Sequence, residues 1–183
     1  MQKIKILLML VGLSVVATSC FKKGCRDIDA INYNEKAKRN DNSCEYYSKM
    51  KLSSVTVTTF SSVNIAAIPW DASDDPDCFI RIKDNVNNIM HQSVQAENQA
   101  GQITWNISPA ITITDFFGVK IEMRDYDSGY INSQSEFMVE ALIPITDYIS
   151  GNNNVVKEPT GNYPDSFEVS EAGATFIFNV SWE

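Results

Sequence analysis

Apolar and polar residues alternate with a period of two along most of the chain after Lys51. A period of two is typical of a β-strand that buries one face and exposes the other. The residues of one parity in the clearest runs are Val55, Val57 and Thr59; Val119, Ile121 and Met123; Phe137, Val139 and Ala141; and Phe176, Phe178, Val180 and Trp182.

Other segments of the chain are further candidate strands. The added segments are 78–83, 89–95, 103–114 and 166–170. About eight strands with turn residues between them predict an all-β fold, an eight-stranded antiparallel β-sandwich over residues 50–183. One helical turn is predicted near 145–150, and a long polar loop is predicted at 151–164.

The N-terminus has the features of an export signal. Two lysines precede an apolar run at 6–17, which is shorter than the ~20 residues that a membrane-spanning helix needs. The run leads into Ala-Thr-Ser-Cys20, which resembles a bacterial lipobox. The resemblance implies that residues 1–19 are a signal peptide and that Cys20 carries acyl chains that anchor the protein to a membrane. The alternative is an ordinary secretory signal that contains a cysteine.

Composition and charge limit the class of partner. The chain is 44% hydrophobic, with nine Phe, seven Tyr and three Trp, which favours a packed core over disorder. Without residues 1–19, which hold two lysines and no acid, 13 basic and 23 acidic residues remain, a net charge of −10. A surface of this charge argues against nucleic acid as a partner.

The remaining three cysteines have different predicted roles. An exported protein meets an oxidising compartment, so we expect a disulfide between Cys25 and Cys44. Cys78 has the same parity as Ile80 and Ile82 and is therefore expected to face the core as a small apolar residue.

Residues 20–49 are polar and lack core-forming periodicity. Around the two cysteines, the segment resembles a short cysteine-flanked repeat of surface and secreted proteins of Bacteroidota-type bacteria. The matching positions are Asp27, Ala30, Asn32-Tyr33-Asn34 and Ser43-Cys44-x-Tyr46, whereas Ile28 and Asn42 depart from the repeat. We interpret the segment as a disulfide-closed spacer between the lipid and the folded domain.

Two acidic loops hold the candidate chemistry. Four aspartates lie within Asp71–Asp77, and Asp125-Tyr-Asp127 follows about fifty residues later. Clustered carboxylates repel one another, and Ca²⁺ prefers six to eight oxygen ligands at about 2.3–2.6 Å. A fold that brings the two loops close together would form a calcium site. The alternative is that both loops are solvated turns whose carboxylates need no partner.

The order of these motifs resembles a C2 domain, a calcium-binding β-sandwich whose aspartates lie on loops at one end. The matching features are the Asp-x5-Asp spacing that starts at Asp71, the strand after Asp77, Trp105-Asn106, and Asp125-x-Asp127. The resemblance implies Ca²⁺ ligands at Asp71, Asp77, Asp125 and Asp127, with Asp75 as an additional acid. Asn132 or Ser133 stands where the family has a further aspartate, so weak affinity is expected, with a Kd of about 10⁻⁴–10⁻³ M.

Aromatic and apolar residues flank the acidic loops. They are Trp70, Tyr126, Tyr130 and Ile131. In membrane-binding C2 domains such residues insert among lipids, so the resemblance implies contact with lipid, glycan or a partner protein. The alternative is that these side chains cap the end of the sandwich.

Catalysis receives little support from the sequence. His91 is the only histidine, and the chain has no Gly-rich phosphate loop and no zinc-type Cys/His cluster. We therefore expect a non-enzymatic lipoprotein of the cell envelope, anchored in the outer membrane. Lys22 and Lys23 after the anchor favour its periplasmic side over the cell surface. The sandwich then either binds calcium or serves as a structural or interaction module that does not.

Overall fold

A computed structural model describes residues 22–64, 66–71, 74–114, 117–126, 135–150, 154–155 and 163–183. This part of the chain divides into two compact units, with the division between Tyr46 and Tyr47. Within the described ranges, no helix has both the length and the apolar character needed to cross a membrane.

Strands form almost all of the regular secondary structure in the described residues. In chain order they are β1 Lys23–Gly24, β2 Arg39–Asn40, β3 Met50–Thr59, β4 Cys78–Lys83, β5 Ile89–Gln92, β6 Ile103–Ile113, β7 Lys120–Tyr126, β8 Ser135–Leu142, β9 Ile149–Ser150, β10 Asn154–Val155, β11 Ser166–Glu171 and β12 Ala174–Trp182. A single 3₁₀ turn, Ile145–Tyr148, lies where a helical turn was expected.

The second unit contains two four-stranded antiparallel sheets. One has the strand order β11-β12-β3-β6, and the other has the order β5-β4-β7-β8. The predicted all-β, eight-stranded antiparallel sandwich is therefore confirmed. Consecutive strands β3 and β4 belong to different sheets, and so do β5 and β6.

The core lies between the sheets and follows the alternation in the sequence. Val55 and Val57 of β3 are fully buried, as are Phe176 and Phe178 of β12. From the other sheet, the residues of one parity in β4 and β7 close the same core; they are Cys78, Ile80, Ile82, Ile121 and Met123. The expectation that Cys78 faces the core is confirmed.

Strand β8 departs from the predicted alternation. Val139 pairs with Met123, but Phe137 pairs with Arg124 across a bulge, which moves Phe137 to the outer face of the sheet. Phe137 is 50% exposed, so its prediction as an inward residue was wrong. A bulge adds one residue to a strand and reverses the parity beyond it, which alternation alone does not reveal. Strand β5 is also shorter than expected and ends at Gln92.

The first unit, described over residues 22–46, is held by a disulfide. Cys25 and Cys44 are bonded, as predicted. Backbone bonds add support, with the N–H of Ile31 donating to the carbonyl of Glu45 at 2.8 Å. The hydroxyl of Tyr46 donates to the carboxylate of Asp27 and lowers the pKa of that carboxyl.

Candidate metal centre at the acidic end of the sandwich

Strands β4 and β7 bring the two acidic loops to the same end of the sandwich. Cys78, the first residue of β4, pairs with Asp125 near the end of antiparallel β7. The backbone N–H of Tyr126 donates to the carbonyl of Asp77 at 3.0 Å, which extends the pairing by one residue. Because the strands are antiparallel, Asp77 before β4 and Tyr126 at the end of β7 lie side by side.

Asp125 is a fully buried carboxylate on the core face of β7, with no exposed surface. It continues the parity of Ile121 and Met123, so the strand directs it inward rather than into solvent. Its Oδ1 accepts the backbone N–H of Asp77 at 2.8 Å. A buried carboxylate needs such donors, because losing water without replacement costs several kcal/mol.

Asp77 joins a third loop to this end. Its Oδ1 accepts the backbone N–H of Asn98 at 2.9 Å, and the N–H of Gln99 donates to the carbonyl of Pro76 at 3.0 Å. The pairing of Cys78 with Ala96 fixes this loop against β4. Sequence reasoning missed Asn98 because the segment has neither charge clustering nor periodicity, and only the tertiary fold brings it to Asp77.

Asp71 belongs to the same electrostatic neighbourhood. Burial raises the pKa of the Cys78 thiol to about 12, and the negative charges of Asp125, Asp77 and Asp71 contribute to the rise in that order. Three carboxylates from two loops therefore act on one buried sulfur atom. Asp71 follows Trp70, which is held by its backbone N–H to Ser62 at 3.3 Å and by its indole N–H to Ser61 at 2.9 Å.

The described residues do not complete a coordination sphere. Among them, no group of three or more His, Cys, Asp or Glu side chains is arranged to hold a metal ion. Asp75 is half-buried and Asp74 is exposed in the first loop. Asp127 and Asn132, predicted as ligands, lie outside the described residues, as do Tyr130, Ile131 and the predicted lipidation site Cys20.

The chemistry of the described donors suits calcium. Asp71, Asp77 and Asp125 offer carboxylate oxygens, the hard ligands that Ca²⁺ prefers. Cys78 is the soft atom among them, and its raised pKa keeps it protonated and unsuitable as a ligand. The donor set therefore fits a hard cation better than zinc or copper.

Two of the predicted contact residues lie on different surfaces of the sandwich. Trp70 lines a cavity of about 280 Å³ together with Phe60, Val63 and Met138. Tyr126 is half-buried and lines a separate cavity beside Phe79 and Arg81, on the outer face of the β5-β4-β7-β8 sheet.

Comparisons with known proteins do not show a family for this chain. No family model matches the chain, and no curated protein matches it. A solved structure titled "Structure of a C2 domain" is similar at 10% identity and a TM-score of 0.45, covering 74% of this chain and 97% of that one. At this degree of similarity, the function has to be argued from the residues of this chain.

Proposed function

We propose that this protein is a lipid-anchored lipoprotein of the cell envelope whose sandwich binds Ca²⁺ at its acidic end and thereby engages a membrane or a partner. The ligands would be Asp71, Asp77 and Asp125 from the described loops, joined by Asp127 and Asn132. Asp75 lies close enough in sequence to add a further carboxylate. The bound ion would neutralise the mutual repulsion of these carboxylates and hold the two acidic loops together.

One observation supports the proposal: the backbone N–H of Asp77 donates to Oδ1 of the buried Asp125 at 2.8 Å, so residues of the two acidic segments meet at one end of the sandwich. The negative charges of Asp125, Asp77 and Asp71 also contribute, after burial, to the raised pKa of the neighbouring Cys78 thiol. Asp125 is fully buried, so its charge is poorly screened by solvent. Like charges in such a place destabilise the fold, and a dication that binds only the folded state offsets that cost.

Thermal unfolding with and without calcium tests the proposal. The full-length lipoprotein, purified in detergent, is melted in CaCl₂ at a hundredfold excess over Kd and again in EGTA. Binding at that excess adds about 2.7 kcal/mol. For a chain of this size, such a gain raises Tm by roughly 5–10 °C. MgCl₂ at matched ionic strength controls for simple screening of surface charge.

Charge-removing variants locate the site. Asp77→Asn and Asp125→Asn keep an oxygen that accepts the N–H of Asn98 or Asp77, but each loses a negative charge. Both should abolish the calcium-induced shift while the protein still folds. Asp147→Asn, in the exposed part of the 3₁₀ turn, removes the same charge elsewhere and should leave the shift intact.

An unchanged melting temperature in calcium would favour the second candidate, a structural or interaction lipoprotein whose sandwich does not use the metal. The hydrogen bonds around Asp77 and Asp125 favour this alternative, because both carboxylates already accept backbone N–H groups and so stabilise the loops without a metal.

The lipid anchor is tested separately. Mass spectrometry of the mature N-terminus should find an acylated Cys20, and Cys20→Ala should release the protein from membranes.

A further inference from the structure

The outer face of the β5-β4-β7-β8 sheet is positive in an otherwise acidic chain. By register, β4, β7 and β8 direct four basic and two acidic side chains to this face. They are Arg81, Lys83, Lys120 and Arg124, with Glu122 and Glu140. The face therefore carries a net charge of +2, whereas the whole chain carries −8.

Three of these four cations are already paired on the sheet. Lys83 contacts Glu122, and Arg124 Nη1 lies 3.6 Å from the same carboxylate. Arg124 also donates to the hydroxyl and carbonyl of Ser135. Lys120 pairs with Glu140 at 2.9 Å.

Arg81 forms no salt bridge among the described residues, although Glu122, its cross-strand partner, pairs instead with Lys83 and Arg124. The Nε of Arg81 donates to Oε1 of Gln92 at 2.8 Å, and its guanidinium carbon lies 5.2 Å from the centre of the Phe79 ring. These two contacts hold the guanidinium plane in place without neutralising it. The hydrogen bond uses Nε, so the two Nη groups form an oriented pair of donors.

Arg81 lines a cavity of about 410 Å³ on this face. The other walls include the aromatic rings of Phe79 and Tyr126, the amides of Gln92 and Gln95, and the hydroxyl of Ser135. The volume falls within the roughly 300–1,000 Å³ of small-molecule sites. The cavity thus combines one fixed cation with neutral hydrogen-bonding groups and aromatic surface.

We propose that this cavity binds a sugar residue that bears a carboxylate. The two Nη groups of Arg81 would take the two carboxylate oxygens side by side, the geometry in which arginine binds carboxylates most strongly. The amides of Gln92 and Gln95 and the hydroxyl of Tyr126 would bind the ring hydroxyls. A doubly charged phosphate fits less well, because Arg81 is the one cation among the described residues that line this cavity.

Titration with sodium glucuronate, followed by NMR of the folded domain in the full-length protein, tests this site. The titration is run in EGTA, so its outcome is independent of calcium binding. We expect saturable shifts of residues around Arg81 with glucuronate, and much weaker shifts with glucose, which lacks the carboxylate, and with acetate, which lacks the ring. If acetate or inorganic phosphate bound as tightly as glucuronate, simple attraction of anions would explain the result and the proposal would be wrong. Binding of anionic phospholipid vesicles without any response to glucuronate would also contradict it.

Variants of the sheet face provide the specificity control. Arg81→Gln should weaken glucuronate binding by at least about tenfold, the loss expected for a charge-assisted hydrogen bond. Arg81→Lys keeps the charge but lacks the planar pair of donors, so it should also bind more weakly and remains informative if Arg81→Gln does not fold. Lys120→Gln removes a cation from the same face outside the cavity and should leave the affinity unchanged. Unaltered binding by a folded Arg81 variant would refute the assignment.

Discussion

At the scale of single residues, the pKa of the Cys78 thiol is the property that depends most clearly on burial and negative charge at the acidic end. The thiol is fully buried, and burial, followed by the negative charges of Asp125, Asp77 and Asp71, raises its pKa from 9.0 to about 12. A thiolate is therefore strongly disfavoured in the folded protein. In the unfolded chain, the same thiol meets water and ionises near its ordinary pKa.

This difference predicts a loss of stability in alkali. The stabilising contribution of the neutral thiol is fully present below pH 9.0 and is lost as pH rises towards about 12, because only the unfolded state releases the proton in that interval. Within it, the free energy of unfolding should fall by about 1.4 kcal/mol per pH unit from this group. Urea unfolding of the wild type and Cys78→Ala at increasing pH measures the effect.

The Cys78→Ala variant should be less stable at neutral pH, because it leaves a small cavity, but its stability should decline less steeply in alkali. Tyrosine and lysine titrate in both proteins and cancel in the difference between them. Parallel stability curves for the two proteins would show that Cys78 does not titrate as the geometry requires.

Residue parity explains which features of the site could be predicted from sequence. Cys78 has the same parity as Ile80, and Asp125 has the same parity as Met123. The alternation in these strands therefore predicts that the thiol and the carboxylate both face the core. The contact between Asp77 and Asn98 was beyond such reasoning, since no local pattern links residues 21 positions apart. The surroundings of Arg81 could not be predicted either, because the ion pairs of the neighbouring cations join residues of different strands.

At the scale of strands, two Lys–Glu pairs on the same sheet face differ chiefly in burial. Glu122 of β7, with a side chain only 7% exposed, is held by Lys83 and Arg124. Glu140 of β8 pairs with Lys120, and these side chains are 32% and 29% exposed. Removing the partner of a buried charge costs far more unfolding free energy than removing the partner of an exposed charge.

Neutralising each acid should therefore have unequal effects. Glu122→Gln leaves Lys83 and Arg124 facing each other without their shared anion, and should cost about 2–3 kcal/mol of unfolding free energy, below the 3–5 of a fully buried pair. Glu140→Gln should cost less than about 1 kcal/mol. Urea denaturation at low and high salt compares them. Equal losses in the two variants would contradict the ranking by burial.

Strand existence was easier to predict than strand geometry. Strand β4 has the predicted bounds, Cys78–Lys83, because its alternation is unbroken and acidic and polar turns flank it. The bulge in β8 could not be predicted from the sequence, because an added residue changes the parity of a strand without changing its composition. The hairpin between β11 and β12 turns at Ala172 and Gly173, both with positive φ, and Gly173 is the residue whose sequence indicates such a turn.

At the scale of the whole molecule, the two units have different sources of stability. The sandwich has a large apolar core, whereas the buried apolar residues of the described first unit are Ala30, Ala37 and the disulfide-bonded Cys25. So small a core cannot offset the conformational entropy of about 25 residues. The bridge between Cys25 and Cys44, which are 19 positions apart, supplies roughly 3 kcal/mol in the chain-entropy model.

Reduction should consequently unfold the first unit and spare the sandwich. In a reducing agent, trypsin should cut rapidly after Lys36, Lys38 and Arg39, exposed basic residues within the closed loop, while the Tm of the sandwich stays within about 2 °C of its oxidised value. Cys78 forms no disulfide, so the bridge is the one target of the reductant among the described cysteines. A double Cys25→Ala, Cys44→Ala variant should reproduce the cleavage without reductant. If the sandwich melted at a lower temperature in that variant, the two units would be energetically coupled, and the first unit would be part of the fold rather than a spacer.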